Sequence, residues 1–361
     1  MKKLLTIIGA RPQFIKASVV SKAILETEGL TEVIVHTGQH FDANMSDIFF
    51  NQLGIPKPNY QLDIHGGNHG DMTGRMLIAI EQVLLKEKPD CVIVYGDTNS
   101  TLAGALAASK LQIPIAHVEA GLRSFNMQMP EEQNRILTDR LSSFLFCPTQ
   151  AAIDNLKKEG YPFITANGCQ QYIENVGDVM QDSAMLFAQR ALAPKNFTIE
   201  KEFVLATVHR AENTNSPERL KSILSALNQA AETAPVVLPL HPRTRQLIAN
   251  LSVDVSRLNL MEPVGYLEML WLLKRCELVV TDSGGVQKEA FFMGKACVTL
   301  REQTEWVELV EVGANELVGA DTDIILSAIK RNSGRFVSDE QKLYGGGEAS
   351  YKLILKLKEL M

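Results

Sequence analysis

Short, almost unbroken apolar runs alternate with helix-patterned stretches along the chain, and that alternation leaves few folds open. A half-exposed strand alternates apolar and polar residues, whereas a strand covered on both faces does not. The first half carries such runs at "LLTII", "EVIVHT", "CVIVYG", "PIAHVE" and "FLFCPT". Helical patterns such as "GRMLIAIEQVLLKEK" and "TLAGALAASKL" lie between them. Buried strands joined by helices predict a parallel sheet with helices on both faces. The pattern restarts near Phe203 with "FVLATV", "VVLPL", "LNLME", "LVVTD", "CVTLR" and "ELVG". Between the two sets, "GYPFITANGCQQYIENVGD" is punctuated by Gly, Pro and Asn and reads as a linker. The predicted fold is therefore α/β, with two doubly wound Rossmann-like domains, 1–168 and 175–348, and a cleft between them. The last stretch, 349–361, has a helical pattern and is expected to pack back on the first domain.

Composition narrows the partners. The chain has 361 residues and a net charge of −6, which argues against a nucleic-acid binder, since these usually carry a basic face. Its longest apolar runs are strand-length, so no membrane span is expected. The opening "MKKLLTIIGARPQ" reads as a first strand rather than a secretion signal, because Arg11 and Pro12 end the apolar run early. Five scattered cysteines without a CxxC pair suit reduced core thiols in a cytoplasmic protein.

Ligands of doubly wound sheets bind beyond the carboxyl ends of the strands. After the first run comes "GARPQFIK", where a dinucleotide fold would place GxGxxG. Arg11 and Lys16 stand there instead, two cations suited to a diphosphate, so no NAD cofactor is expected. "YGDTNST" supplies Asp97, "HVEAGLRS" supplies Glu119 and Arg123, and "MPEEQNR" supplies Glu131, Glu132 and Arg135. Acidic groups gathered at one sheet edge suit acid–base work, because like charges push a pKa up. Asp97 is equally placed to be only a helix cap. The same carboxylates could serve a hard cation, but no DxD cluster or HExxH is present and the seven histidines are dispersed, so no metal is expected.

In the second half "ATVHRAEN" gives His209 and Arg210, and "PLHPRTR" gives His241, Arg243 and Arg245. In "VVTDSGGVQKEAFFMGK" an apolar run turns into a helix through Ser283, Gly284 and Gly285, with Glu289 one turn in. Two glycines admit a close backbone approach, and a helix start offers unpaired N–H groups to a phosphate. No GxSxG or catalytic-looking cysteine is present.

Together these motifs, in this order and spacing, resemble the bacterial UDP-N-acetylglucosamine 2-epimerase family over essentially the whole chain. The resemblance implies a glycosyltransferase-B-like fold, a UDP-sugar substrate and a homodimer. It implies Asp97, Glu119 and Glu131 as catalytic acids and His209 as a further catalytic residue beside the diphosphate. Arg11, Lys16, Arg123, Arg135, Arg210, His241 and Arg243 would serve substrate, Ser283, Gly284 and Gly285 would cradle phosphate, and Glu289 would meet the ribose. The implied reaction is loss of UDP from C1 with removal of the C2 proton, then re-addition with C2 inverted. The chain departs from the simplest members: Trp306 stands where they have an Arg, and Val264 and Met269 stand where they have Gln and Phe near the uracil. Their activator-binding residues are not clearly matched around "GQHFDANM". "GARPQFIKASVVSKAI", "HTGQHFDANMS", "NVGDVMQDS" and "TEWVE" look most like the subgroup acting on UDP-2,3-diacetamido-2,3-dideoxyglucuronate for O-antigen sugars, with Arg123, Arg243 or Arg245 available for the extra carboxylate. Plain UDP-N-acetylglucosamine as substrate, a hydrolysing epimerase, a retaining glycosyltransferase and a non-catalytic nucleotide-sugar sensor stand as alternatives.

Overall fold

The computed structural model describes residues 1–39, 54–165, 168–240 and 242–361. Two compact units emerge, one of Met1–Ser183 with Lys342–Met361, the other of Ala184–Gln341. The first unit holds β1 (Lys2–Ile8), β2 (Leu30–His36), β3 (Tyr60–Gln61), β4 (Cys91–Tyr95), β5 (Ile115–Val118), β6 (Phe144–Cys147) and β7 (Tyr172–Asn175). These form one sheet in the order β3-β2-β1-β4-β5-β6-β7, parallel throughout. Its helices are α1 (Arg11–Leu25), α2 (His69–Glu87), α3 (Asn99–Lys110), α4 (Pro130–Leu141), α5 (Gln150–Lys158) and the start of α6 (Val179–Ala188).

The second unit holds β8 (Val204–Thr207), β9 (Val236–Pro239), β10 (Asn259–Met261), β11 (Leu278–Thr281), β12 (Cys297–Thr299) and β13 (Asn315–Leu317). Their order is β10-β9-β8-β11-β12-β13, again parallel. Its helices are α7 (Ala211–Thr214), α8 (Pro217–Ala230), α9 (Pro242–Ala249), α10 (Tyr266–Arg275), α11 (Gly284–Phe292), α12 (Val307–Glu311) and α13 (Thr322–Asn332).

Local sequence explains the elements that place the site. In α2 the stripe Met76, Ile80, Val83 and Leu84 is buried against Leu5, Ile7, Val92 and Val94 of the sheet. Helix α3 is rich in Ala and Gly, so its buried Ala103, Ala105, Ala107 and Ala108 join the same core. Its N-cap is Thr98, whose side chain accepts from the Thr101 N–H at 3.3 Å. Asp97 is therefore released from the capping role that was open to it.

The boundary differs from the expected start of the second domain at 175. The predicted linker contains β7, which pairs with β6 and so adds a seventh strand to the first sheet. The chain returns to the first unit at Lys342, and α14 (Ala349–Leu360) packs against α1. Asp182 anchors that return, accepting from the Ala349 N–H, the Ser350 N–H and the Ser350 hydroxyl at 3.1, 2.7 and 2.6 Å. In both sheets the strand order reverses between two central strands, β1 and β4 in one, β8 and β11 in the other. Chain segments diverge there and leave a crevice above the strand ends.

Candidate active site

In the first unit, the segments after β1, β4 and β5 meet at that reversal. Gln13 fixes the first turn, its Oε1 accepting from the Gly9 and Ala10 N–H groups at 2.8 and 3.1 Å. Its Nε2 donates to the Tyr95 carbonyl and the Thr98 and Thr101 hydroxyls at 2.8, 3.0 and 2.9 Å. One buried amide thus ties the β1 turn to the β4 turn. One turn further along α1, Lys16 donates to the Glu119 carboxylate, and both side chains are nearly buried. Glu119 has φ +73°. A non-glycine residue held there costs on the order of 1–3 kcal/mol, and such residues cluster at functional sites.

Asp97, half-buried, pairs with Arg135 at 2.5 Å. Burial pushes its carboxyl above the usual range, against the pull of Arg135 and with a further push from Glu119. Arg135 also donates to Glu132 at 2.8 Å. Burial would raise Glu132 as well, but the Ser124 and Phe125 N–H groups and Arg135 outweigh it and hold the carboxyl low. Asn134 completes the frame, donating to the Asp97 carbonyl at 2.9 Å.

Two first-unit residues behave differently from expectation. The Arg123 guanidinium is buried and fully engaged, with Asp139 at 2.7 Å and Glu159 at 2.7 and 2.9 Å. It is a strut between two acids, not a substrate reader. Glu131 is exposed in the first turn of α4, while its neighbour Glu132 points inward and accepts from the Ser124 and Phe125 N–H groups. Arg11 opens α1 at the mouth of the same turn.

In the second unit, the matching acid serves backbone. Asp282 follows β11 and is fully buried. It accepts from the His209 N–H at 3.0 Å, the Arg210 N–H at 3.1 Å and the Asn213 amide at 3.0 Å. Thr207 and Thr281 bridge the two central strands at 2.6 Å. Ser283 is the N-cap of α11, and its side chain makes no capping hydrogen bond. A Cβ on Gly284 would collide with the Glu305 carboxylate and lie 3.3 Å from Trp306 Nε1, so a side chain there would force Glu305 to move. Glu305 sits between Arg301 at 2.8 Å and Arg210 at 3.5 Å. Burial raises its carboxyl, but Arg301 and then Arg210 prevail and the net shift is downward. Glu289 is buried on α11. Trp306, also buried, lies under Lys288, whose Nζ is 4.0 Å from the ring centroid.

Of the arginines expected to read a uronate carboxylate, Arg123 and Arg245 are both engaged within the protein. Arg245 donates to Glu262 at 2.8 Å and to the Met261 carbonyl at 3.2 Å. His241 and the Arg243 side chain lie outside the described residues. Among the described residues, no three His, Cys, Asp or Glu side chains gather as a metal would require. No described helix is long and apolar enough to cross a membrane.

Sequence reasoning missed Gln13, Asp282 and the partners of Arg123. Gln13 and Asp282 lie inside quoted motifs, and their strand-end positions were the available signal. Asp139 and Glu159 lie far from Arg123 in sequence and carry none.

Residues 22–358 match the family model described as UDP-N-acetylglucosamine 2-epimerase. The Pseudomonas aeruginosa UDP-2,3-diacetamido-2,3-dideoxy-D-glucuronate 2-epimerase is 66% identical, over 99% of this chain and 100% of its own. The structure of Methanocaldococcus jannaschii UDP-GlcNAc 2-epimerase in complex with UDP-GlcNAc and UDP matches with a TM-score of 0.84 at 42% identity, covering 99% of each chain. That of the Neisseria meningitidis enzyme bound to UDP-GlcNAc matches with a TM-score of 0.86 at 31% identity, covering 99% of this chain and 100% of that one.

Proposed function

The chain belongs to the UDP-N-acetylglucosamine 2-epimerase family, and from that premise we propose that it inverts C2 of UDP-2,3-diacetamido-2,3-dideoxy-D-glucuronate, giving the manno epimer. It is an isomerase acting on a UDP-sugar. The sugar is assigned on the 66% identity over nearly the full chain, against 42% and 31% for the two UDP-GlcNAc enzymes. UDP-N-acetylglucosamine is the second reading. An O-antigen role, a cytoplasmic location and a homodimer belong to the same proposal.

The observation that carries the mechanism is the pair of separate carboxyls in the first unit, each with its own cation: Asp97 with Arg135, and Glu119 with Lys16. The C2–H of an amino sugar is barely acidic until the C1–O bond to UDP breaks and C1 becomes cation-like. One carboxylate then takes the C2 proton and a C1–C2 double bond forms, giving a glycal and UDP. Inversion needs a proton delivered to the opposite face of C2 while a UDP oxygen returns to C1. Two carboxyls with distinct surroundings suit these two roles, and the upward push on Asp97 suits the donor. Glu131 stands as a third acid on the family resemblance alone.

The second unit is assigned the nucleotide. Its α11 N-terminus, opened by Ser283, Gly284 and Gly285, offers N–H groups and a positive helix end to the diphosphate leaving group. His209 and Arg210 reach this region from β8, and Glu289 is assigned the ribose.

The test is proton NMR of both UDP-sugars with the enzyme in heavy water. Deuterium should enter at C2 of the manno product, with higher kcat/KM for the diacetamido uronate. A product without C2 deuterium would exclude proton transfer there. Faster turnover of the neutral sugar would move the assignment to UDP-N-acetylglucosamine.

A further inference from the structure

Gly96 joins the elements that carry both first-unit carboxyls. Its N–H donates to the Val118 carbonyl at 3.0 Å. Its φ is +62°, and a Cβ there would lie 3.1 Å from Glu119 Oε2 and 3.5 Å from Lys16 Nζ. Asp97 is the next residue, and its Oδ2 is held by Arg135. A small shift of the Gly96 peptide therefore moves Asp97 directly and changes the wall against which the Lys16–Glu119 pair rests.

The Gly96 carbonyl is gripped from the interior. His117 Nε2 lies 2.8 Å from it, and Nδ1 lies 2.7 Å from Asp139 Oδ1. His117 is fully buried on β5, two residues before Glu119. A carbonyl oxygen only accepts, so Nε2 must donate. Asp139 Oδ2 is occupied by the Gly121 N–H at 3.2 Å and Arg123 Nη1 at 2.7 Å, which keeps the carboxylate an acceptor. Nδ1 therefore also faces an acceptor, and Glu159 closes the set beyond Arg123.

β5 is otherwise apolar here, with Ile115, Ala116 and Val118 buried beside His117. An apolar residue would fill that position without the desolvation cost of a buried polar chain. We propose that His117 is a positioning residue for the epimerase reaction: braced by Asp139, its ring holds the Gly96 carbonyl and so sets where Asp97 and Glu119 stand. This rests on the epimerase reading above.

Two substitutions separate the ring's two contacts. In His117→Asn the amide nitrogen takes the place of Nδ1 and reaches Asp139 but not Gly96. In His117→Gln it takes the place of Nε2 and reaches Gly96 but not Asp139. The Asn variant should lose about a hundredfold in kcat, the scale of a small misplacement of reacting groups. The Gln variant should lose less than about tenfold, with KM and UDP affinity in both within about threefold. Equal kcat loss in the two variants, or near-normal kcat in the Asn variant, would overturn the proposal.

Nitrogen-15 spectra of histidine-labelled wild-type protein provide a readout independent of turnover and of how well the Asn variant folds. Assigned by its loss in the Gln variant, the His117 Nε2–H should be protected from exchange, and its absence would also overturn the proposal. A protected Nε2–H in a wild-type enzyme that exchanges no C2 proton would instead mark failure of the epimerase reading, and the positioning role would fall with it.

Discussion

The two units share a strand order at their centres, yet the acids at that point do different work. In the first unit the segments after β1, β4 and β5 end in side chains that hold one another, Lys16 with Glu119 and Asp97 with Arg135. In the second unit the acid after β11, Asp282, is turned on the His209 and Arg210 N–H groups, and the next helix opens with glycines. One reversal point gathers carboxylates held by cations. The other gathers backbone donors and leaves the start of a helix for an anion. A common topology places chemistry at a common point but does not choose it, because the crevice is made by diverging chain and the side chains are free to differ.

Mutations on either side should separate these roles. The largest effect is expected in the first unit, where Glu119→Gln and Asp97→Asn should each lower kcat by about two orders of magnitude or more. UDP affinity, measured by calorimetry, should change little in both. A loss of UDP binding as large as the loss of kcat would break the division. Gly284→Ala, in the second unit, should weaken UDP binding by roughly tenfold, since its Cβ meets Glu305 and Trp306 and blocks the helix end. Should it reduce kcat with UDP affinity intact, α11 would not be the nucleotide's seat.

A smaller effect concerns acid stability. Glu132 is held low in the folded state by N–H groups and Arg135 despite burial. A carboxyl lowered on folding adds stability above its ordinary range, and this is lost as the pH falls through its folded value. Stability measured from neutral pH downward should therefore fall less steeply in Glu132→Gln than in wild type. An unchanged slope would show that the first unit's network is not electrostatically preset. The smallest effect is expected at Arg245→Ala, within about 0.5 kcal/mol in stability, because it breaks an exposed ion pair and one long hydrogen bond to the Met261 carbonyl. A selective loss of kcat/KM for the uronate in that variant would return Arg245 to the role of carboxylate reader.

Much of this was legible in sequence. Unbroken apolar runs require strands covered on both faces, and from that the two parallel sheets and the location of chemistry after their strands both follow. "YGDTNST", "HVEAGLRS" and "TDSGGVQKEA" located Asp97, Glu119 and the α11 start because each spans a strand end and its turn. What stayed hidden was which of several adjacent polar residues points inward. Glu131 and Glu132 are neighbours, but helical rotation exposes one and buries the other beneath two loop N–H groups. Thr98, not Asp97, caps α3, and that one-residue difference frees the carboxyl.

The sequence by itself determined the periodicity of every long element, the parallel sheets and the short list of residues near each reversal point, since all are local consequences of burial and chain direction. Only the tertiary structure decided who pairs with whom. Arg123 became a strut because Asp139 of α4 and Glu159 at the end of α5 converge on it, and β7 joined the first sheet because its backbone found β6. Ion pairs and strand ladders form between groups distant in sequence, and their partners are set by the packing that brings them together.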